Sequence, residues 1–185
     1  MEPMQLNGGR FYLRPLSADD RINDIPALVA VADWAAGNGT TSSTGTTASE
    51  HVVGARSASM CGTLVELRRN QWLTGTALSW AVCEHTQVEM VAEALLFAGD
   101  GVIMDPAEDT TPLTCADPVH GDHSHHHTPV ATHAIVSIRP AGDPSRIIPT
   151  PPDTEQKTVG DAVEEAKGTI TRWAEGYLGL TVTVL

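Results

Sequence analysis

The sequence predicts an α/β (α+β) domain, and two stretches predict it. The first is Trp72 to Phe97, in which Ser79–Cys83 and Val88–Phe97 are apolar runs joined by the polar link Glu84-His85-Thr86-Gln87. Two such runs with so short a polar link form an antiparallel hairpin. Both runs are apolar at nearly every position, so both faces of the hairpin need cover, and helices are the expected cover. The second stretch is Val159 to Tyr177. Val159, Ala162, Val163, Ala166, Ile170, Trp173, Ala174 and Tyr177 recur there at i, i+3, i+4, i+7, i+11, i+14, i+15 and i+18, a single apolar stripe along one helix.

In chain order, Arg10-Phe11-Tyr12-Leu13-Arg14-Pro15-Leu16 is a first strand, stopped by Pro15, which cannot donate to a ladder. Ser17-Ala18-Asp19-Asp20 has the spacing of a capping box. Ile22, Ile25, Leu28, Val29, Ala32 and Trp34 follow at mostly helical spacing, and Pro26 places the helix start near Asp24. Residues 36–50 are Gly/Thr/Ser-rich and too poor in apolar surface to order themselves, so a loop is expected there. Cys61, Leu64, Val65, Arg68 and Trp72 share one face of a second helix, which Gly75 ends. After the hairpin, residues 101–128 carry Asp105, Glu108, Asp109, Asp117 and Asp122 among three prolines, and are expected to be an inserted surface loop. Thr132–Ile138 is a fourth strand, ended by Arg139-Pro140. Asp153 and Gln156 are placed to cap the Val159 helix, Gly176 and Gly179 to end it, and Leu180–Leu185 is a last strand.

Bulk properties narrow the function. One domain spanning 1–185 is long enough for a sizeable core. Eleven basic against 23 acidic residues give a net charge of −12, which argues against nucleic acid or an anionic membrane as partner. Three widely spaced cysteines without a CxxC pair argue against a disulfide framework and for a reducing compartment. No signal-like leader opens the sequence and no apolar run is long enough to span a bilayer, so the expected location is the cytoplasm.

Four segments resemble the GNAT N-acetyltransferase superfamily. "LRPL" followed by a polar pair and a helix is similar to its opening strand and helix, and the second helix to the one lying over its acceptor site. "SWAVCE" with the returning strand is similar to its central hairpin, and "TRWAEGYLGLTVTVL" to the helix after the cofactor loop with the strand that follows. The resemblance implies a mixed, mostly antiparallel sheet flanked by helices, acetyl-CoA as cofactor, and a small-molecule or peptide amine as acetyl acceptor. In the family, pyrophosphate is held by backbone N–H groups of a loop reading Gln/Arg-x-x-Gly-x-Gly/Ala and by the positive end of the next helix.

The matching stretch here runs from Arg139 to Pro149. With the strand before it, the resemblance implies Ser137, Ile138, Arg139, Gly142, Ser145 and Arg146 as the cofactor-binding set. The loop departs from the family in lacking the second glycine, in carrying Asp143, and in losing donors to Pro144 and Pro149. If Pro140 is matched to the proline that commonly ends the fourth strand, the family's general-base position falls on His133, whose side chain titrates near neutrality. The ordinary reading of His133 is a strand histidine satisfied by a neighbour, and the ordinary reading of Arg139 and Arg146 is solvated loop charge.

Two readings of other classes stay open. One is a non-catalytic binding or assembly protein on this scaffold, with a homo-oligomer or other partner completing the sheet edge near Leu185. The other is a metal-binding protein. His120, His123, His125 and His127, with His126 between them and carboxylates nearby, offer ligands for Zn²⁺ or Ni²⁺, although their spacing matches no structural zinc module.

Overall fold

The computed structural model describes residues 2–38, 58–98, 102–103 and 130–185. Its centre is a six-stranded sheet in the order β1 (Leu6–Asn7), β2 (Phe11–Arg14), β3 (Ala77–Glu84), β4 (Met90–Ala98), β5 (His133–Pro140) and β8 (Thr181–Val184). Neighbours are antiparallel except β5 and β8, which run parallel with His133 opposite Thr181 and Val136 opposite Val184. The hairpin β3–β4 occupies the middle, and every residue of β3 is buried. The hairpin register shifts between Val82 and Cys83, where Val91 of β4 is the extra residue of a bulge. A separate two-stranded ribbon pairs β6 (Ile147–Ile148) with β7 (Lys157–Thr158).

Helices cover both faces. The α3 helix (Val159–Trp173) lies on one, burying Val159, Ala162, Ala166 and Ile170 with Phe11, Trp80, Leu96 and Val136. On the other lie α1 (Ile25–Asn38) and α2 (Ala58–Thr74), where Leu28, Val31, Cys61 and Val65 enclose Ala81, Cys83 and Met90. Gly75, at φ 66°, turns the chain out of α2 into β3 at an angle that costs a glycine nothing.

Several local expectations are corrected. Ser17 does not cap a helix: its hydroxyl bonds Asp19, and Asp19 takes the Arg21 and Ile22 amides into a tight turn. The helix itself begins where Pro26 placed it: Ile25 is its first residue, Asp24 O accepts from the Leu28 amide, and Pro26 loses no hydrogen bond. Asp153 and Gln156 do not cap α3. Lys157 and Thr158 are held in the ribbon, so the box forms between Thr158 and Asp161. Tyr177 leaves the apolar stripe and is 64% exposed, because α3 widens into a π-helical turn, Ala174–Leu178, before Gly179 ends it at φ 67°. Val102 and Ile103, placed in the inserted loop by sequence, are buried, and the Ile103 amide bonds Gly75 O at 2.7 Å. The remainder of 104–128, with His120, His123, His125 and His127, lies outside the described residues, as do residues 39–50 of the Gly/Thr/Ser stretch.

Candidate active site

Strand alternation sorts the β5 side chains. Ala134, Val136 and Ile138 are buried in the cluster that includes α3, so Ile138 is a core residue. His133, Ile135, Ser137 and Arg139 stand on the opposite face, which α1 and α2 share. The sequence-predicted His133, Ser137 and Arg139 therefore line one row.

At one end of that row the exposed His133 ring places Nε2 2.8 Å from Thr183 Oγ1 on β8. The contact ties the candidate base to the strand with which β5 runs parallel. At the other end Arg139 is no solvated charge. Its guanidinium pairs with Glu93, the residue directly opposite on β4. Glu93 is almost completely buried and also receives Arg68 of α2, from Nε and Nη2 at 3.3 Å each. Arg68 in turn donates to Gln71 Oε1 at 3.0 Å. A carboxylate taken out of water survives only with such partners. Glu93 was the feature that sequence reading passed over, and its signal was a lone acid inside an otherwise apolar strand.

The loop after β5 begins with Ala141 and Gly142, the latter at φ 95°. Asp143 Oδ1 then takes both the Ser145 amide and its hydroxyl at 2.8 Å. These bonds hold the Asp143 carboxyl below the ordinary carboxylate range and occupy Ser145. Arg146 Nη2 lies 3.5 Å from Ala141 O, and its side chain borders a cavity of about 540 Å³. The cavity is an open cleft lined by the start of α1 and the turn before it, by Val88–Met90 and by Ala141. Asp24 lines it as well, but its carboxylate is locked by Arg14 at 2.7 Å on both oxygens and by the Ser17 amide at 2.8 Å. Burial works against the charge on Arg14, and the hydrogen bonds and charge of Asp24, with contributions from Cys83 and Tyr12, more than offset it.

The loop reaches the start of α3 and fills it. The Val159 amide donates to Arg146 O at 3.0 Å, the Gly160 amide to Pro144 O at 2.8 Å, and the Asp161 amide to Thr158 Oγ1 at 3.1 Å. A side chain on Gly160 would bring its Cβ to 3.2 Å from Pro144 O, so the loop lies directly against the helix. Hydrogen bonds from Thr158 draw the Asp161 carboxyl below its usual range and fix a negative charge in the same turn. A helix end recruits an anion with unspent N–H groups. Here three of them are spent within the chain. Of the six residues predicted to bind cofactor, Arg146 and Gly142 stay in the loop near the cavity, Ser137 faces the open row, and Arg139, Ser145 and Ile138 are engaged elsewhere.

Among the described residues no group of three or more His, Cys, Asp or Glu is placed to hold a metal ion. None of the described helices is long and apolar enough to cross a membrane.

Strand order, the parallel β5–β8 pair across α3, and helices on both faces give the mixed, mostly antiparallel sheet flanked by helices that the sequence resemblance implied. No family model matches the chain, and neither does any curated protein. Among solved structures it is similar to that of a Vibrio cholerae protein assigned as a ribosomal-protein-serine acetyltransferase. The similarity covers 98% of this chain and 72% of the other, at 12% identity and a TM-score of 0.49.

Proposed function

We propose that this chain is a binding or assembly protein on a GNAT-like scaffold, without a working acetyl-CoA cradle. The observation that carries this reading is the start of α3, where the Val159, Gly160 and Asp161 amides all bond the chain itself. A pyrophosphate would have to displace those bonds and sit against the Asp161 carboxylate. Each charge-assisted hydrogen bond forgone costs about 1.5–3 kcal/mol, or roughly one to two decades of affinity. Two or three such losses move a micromolar site to a dissociation constant above about 100 μM. Isothermal titration with coenzyme A tests this directly, and low-micromolar binding overturns it. The partner this reading allows is a protein strand or a second copy at the outer edge of β8, which pairs with no other strand among the described residues.

Acetyl-CoA-dependent N-acetyl transfer to a primary amine is the second reading, favoured by the row His133, Ser137 and Arg139 beside the parallel strand pair. In that chemistry the amine nitrogen bonds the thioester carbonyl, the carbon–sulfur bond breaks, and the amine proton passes to a base, here the His133 ring. Thiol release from acetyl-CoA with a mixture of amines, abolished by His133→Ala, would favour it. Metal binding by His120, His123, His125 and His127 is a separate expectation, tested by Ni²⁺ titration with and without residues 117–127.

A further inference from the structure

A second cavity, of about 450 Å³, lies away from the β5 loop. It is bounded by Arg68, Arg69, Trp72 and Leu73 of the last turns of α2, by Pro15 and Leu16 after β2, by Ser79 of β3, and by Glu2 and Pro3. Its volume is in the range of small-molecule sites.

Two polar groups on its wall are uncommitted. Ser79 is 1% exposed, and its hydroxyl has no hydrogen-bond partner among the described residues. Its own carbonyl is used, accepting from Trp72 Nε1 at 3.0 Å, so the residue is fixed in place with only the hydroxyl unspent. A buried hydroxyl left unpaired is a standing cost that folded proteins seldom carry without reason. Arg69 is exposed and makes no ion pair among the described residues. It differs in this from its neighbour Arg68, which is held by Glu93 and Gln71. The remaining wall is mixed: Leu16, Trp72 and Leu73, the last 52% exposed at its border, supply an apolar part, while Glu2 and the Glu93-bound Arg68 are charged.

We propose that this cavity binds a small monocarboxylate with an apolar body. The carboxylate sits on the Arg69 fork and accepts the Ser79 hydroxyl, and the body lies against Leu16, Trp72 and Leu73. One guanidinium matches one carboxylate bidentately and leaves a lone pair for the hydroxyl. A dianion such as phosphate fits less well, because only Arg69 is available to neutralise it, Glu2 stands on the same wall, and the chain carries −12. The cavity is separate from the start of α3, so carboxylate binding and coenzyme A binding are independent readouts.

The test is isothermal titration of the full chain with hexanoate, octanoate and 3-phenylpropionate, each beside its primary amide, and with octyl phosphate. At least one acid should bind roughly ten-fold or more tighter than its amide, the worth of about one charged bidentate contact. Arg69→Gln should remove that preference with an unchanged melting temperature, since the side chain is exposed. Ser79→Ala should act in opposite directions, raising the melting temperature by deleting the orphan hydroxyl while lowering acid affinity several-fold. A serine of structural value alone would not give that pair of signs. No binding across the panel, equal binding of acid and amide, tighter binding of octyl phosphate, or undiminished acid binding by Arg69→Gln would each overturn the proposal.

Discussion

Towards α3 the central strands present Leu78, Trp80, Val82, Ala94, Leu96 and Val136, all buried and all apolar. On the α1/α2 face the same strands present Ser79, Glu93, Ser137 and Arg139 among their side chains. The first face can be satisfied by contact alone. On the second, each polar group needs a named partner, and two neighbouring sites meet that need differently. Glu93 is enclosed by Arg68 and Arg139, whereas the Ser79 hydroxyl finds no bonding partner among the described residues. The dry face thus holds the fold, and the polar face is where a ligand can add something the chain lacks.

Substitutions on the two faces should separate these roles. The largest effect is expected from Trp80→Ala, at the centre of the dry face. Trp80 is fully buried, with ring centroids 5.1 Å from Trp72 and 5.8 Å from Trp173, both edge-on. Its loss should lower unfolding free energy by about 5 kcal/mol in a denaturant titration; a loss under about 1 kcal/mol would mean the α3 face is not the core. Glu93→Gln comes next, at about 3 kcal/mol, the low end for a broken buried pair because Arg139 is already one-third exposed and can turn to water. Little or no loss by the same titration would show that the triad contributes nothing to stability.

Thr158→Ala removes the capping box and should cost about 1 kcal/mol. If the loop over α3 is what blocks phosphate, coenzyme A binding should stay weak in this variant, because the Arg146 and Pro144 carbonyls still hold two of the donors. Arg69→Gln should change stability by less than about 0.5 kcal/mol, as for an ordinary surface position.

A pH series divides the molecule in another way. Burial alone would raise the Glu84 carboxyl, but hydrogen bonds from Thr86 and the charge of Arg10, 2.8 Å away, outweigh it and lower the pKa. A group lowered on folding stabilises above its unfolded value and loses that contribution as pH falls through the folded value. Acid unfolding should therefore begin below about pH 4.5, and Glu84→Gln should flatten it. Cys83 behaves oppositely. Burial pushes its thiol up to about 11, so the stability it contributes is complete below 9.0 and lost between there and 11. Thermal melts at pH 8 and pH 11 check this, with the lower melting temperature expected at pH 11.

The elements legible in the sequence were those with an uninterrupted pattern. The hairpin showed as two unbroken apolar runs, and α3 as one stripe from Val159 to Ala174. The short elements β1, β6 and β7 were missed because a two-residue strand has no periodicity to detect. The candidate site was legible only as a row. Alternation along β5 put His133, Ser137 and Arg139 on one face, as any strand must. That Arg139 belongs to Glu93 depends on the register between β4 and β5, set across more than thirty intervening residues that no local pattern encodes.

That same register has a kinetic consequence. β3 and β4 are joined by five residues, so their pairing closes a short loop quickly. The neighbouring pairings in the centre of the sheet are remote: β2 reaches β3 across α1 and α2, β4 reaches β5 across residues 99–132, and β5 reaches β8 across α3. Each must meet its closure entropy before contacts reward it. The hairpin Ala77–Ala98 is then the nucleus on which the other strands condense. Until they do, it offers two long apolar edges to any neighbouring chain, so refolding from denaturant should succeed in dilute solution and fail through aggregation as the protein is concentrated.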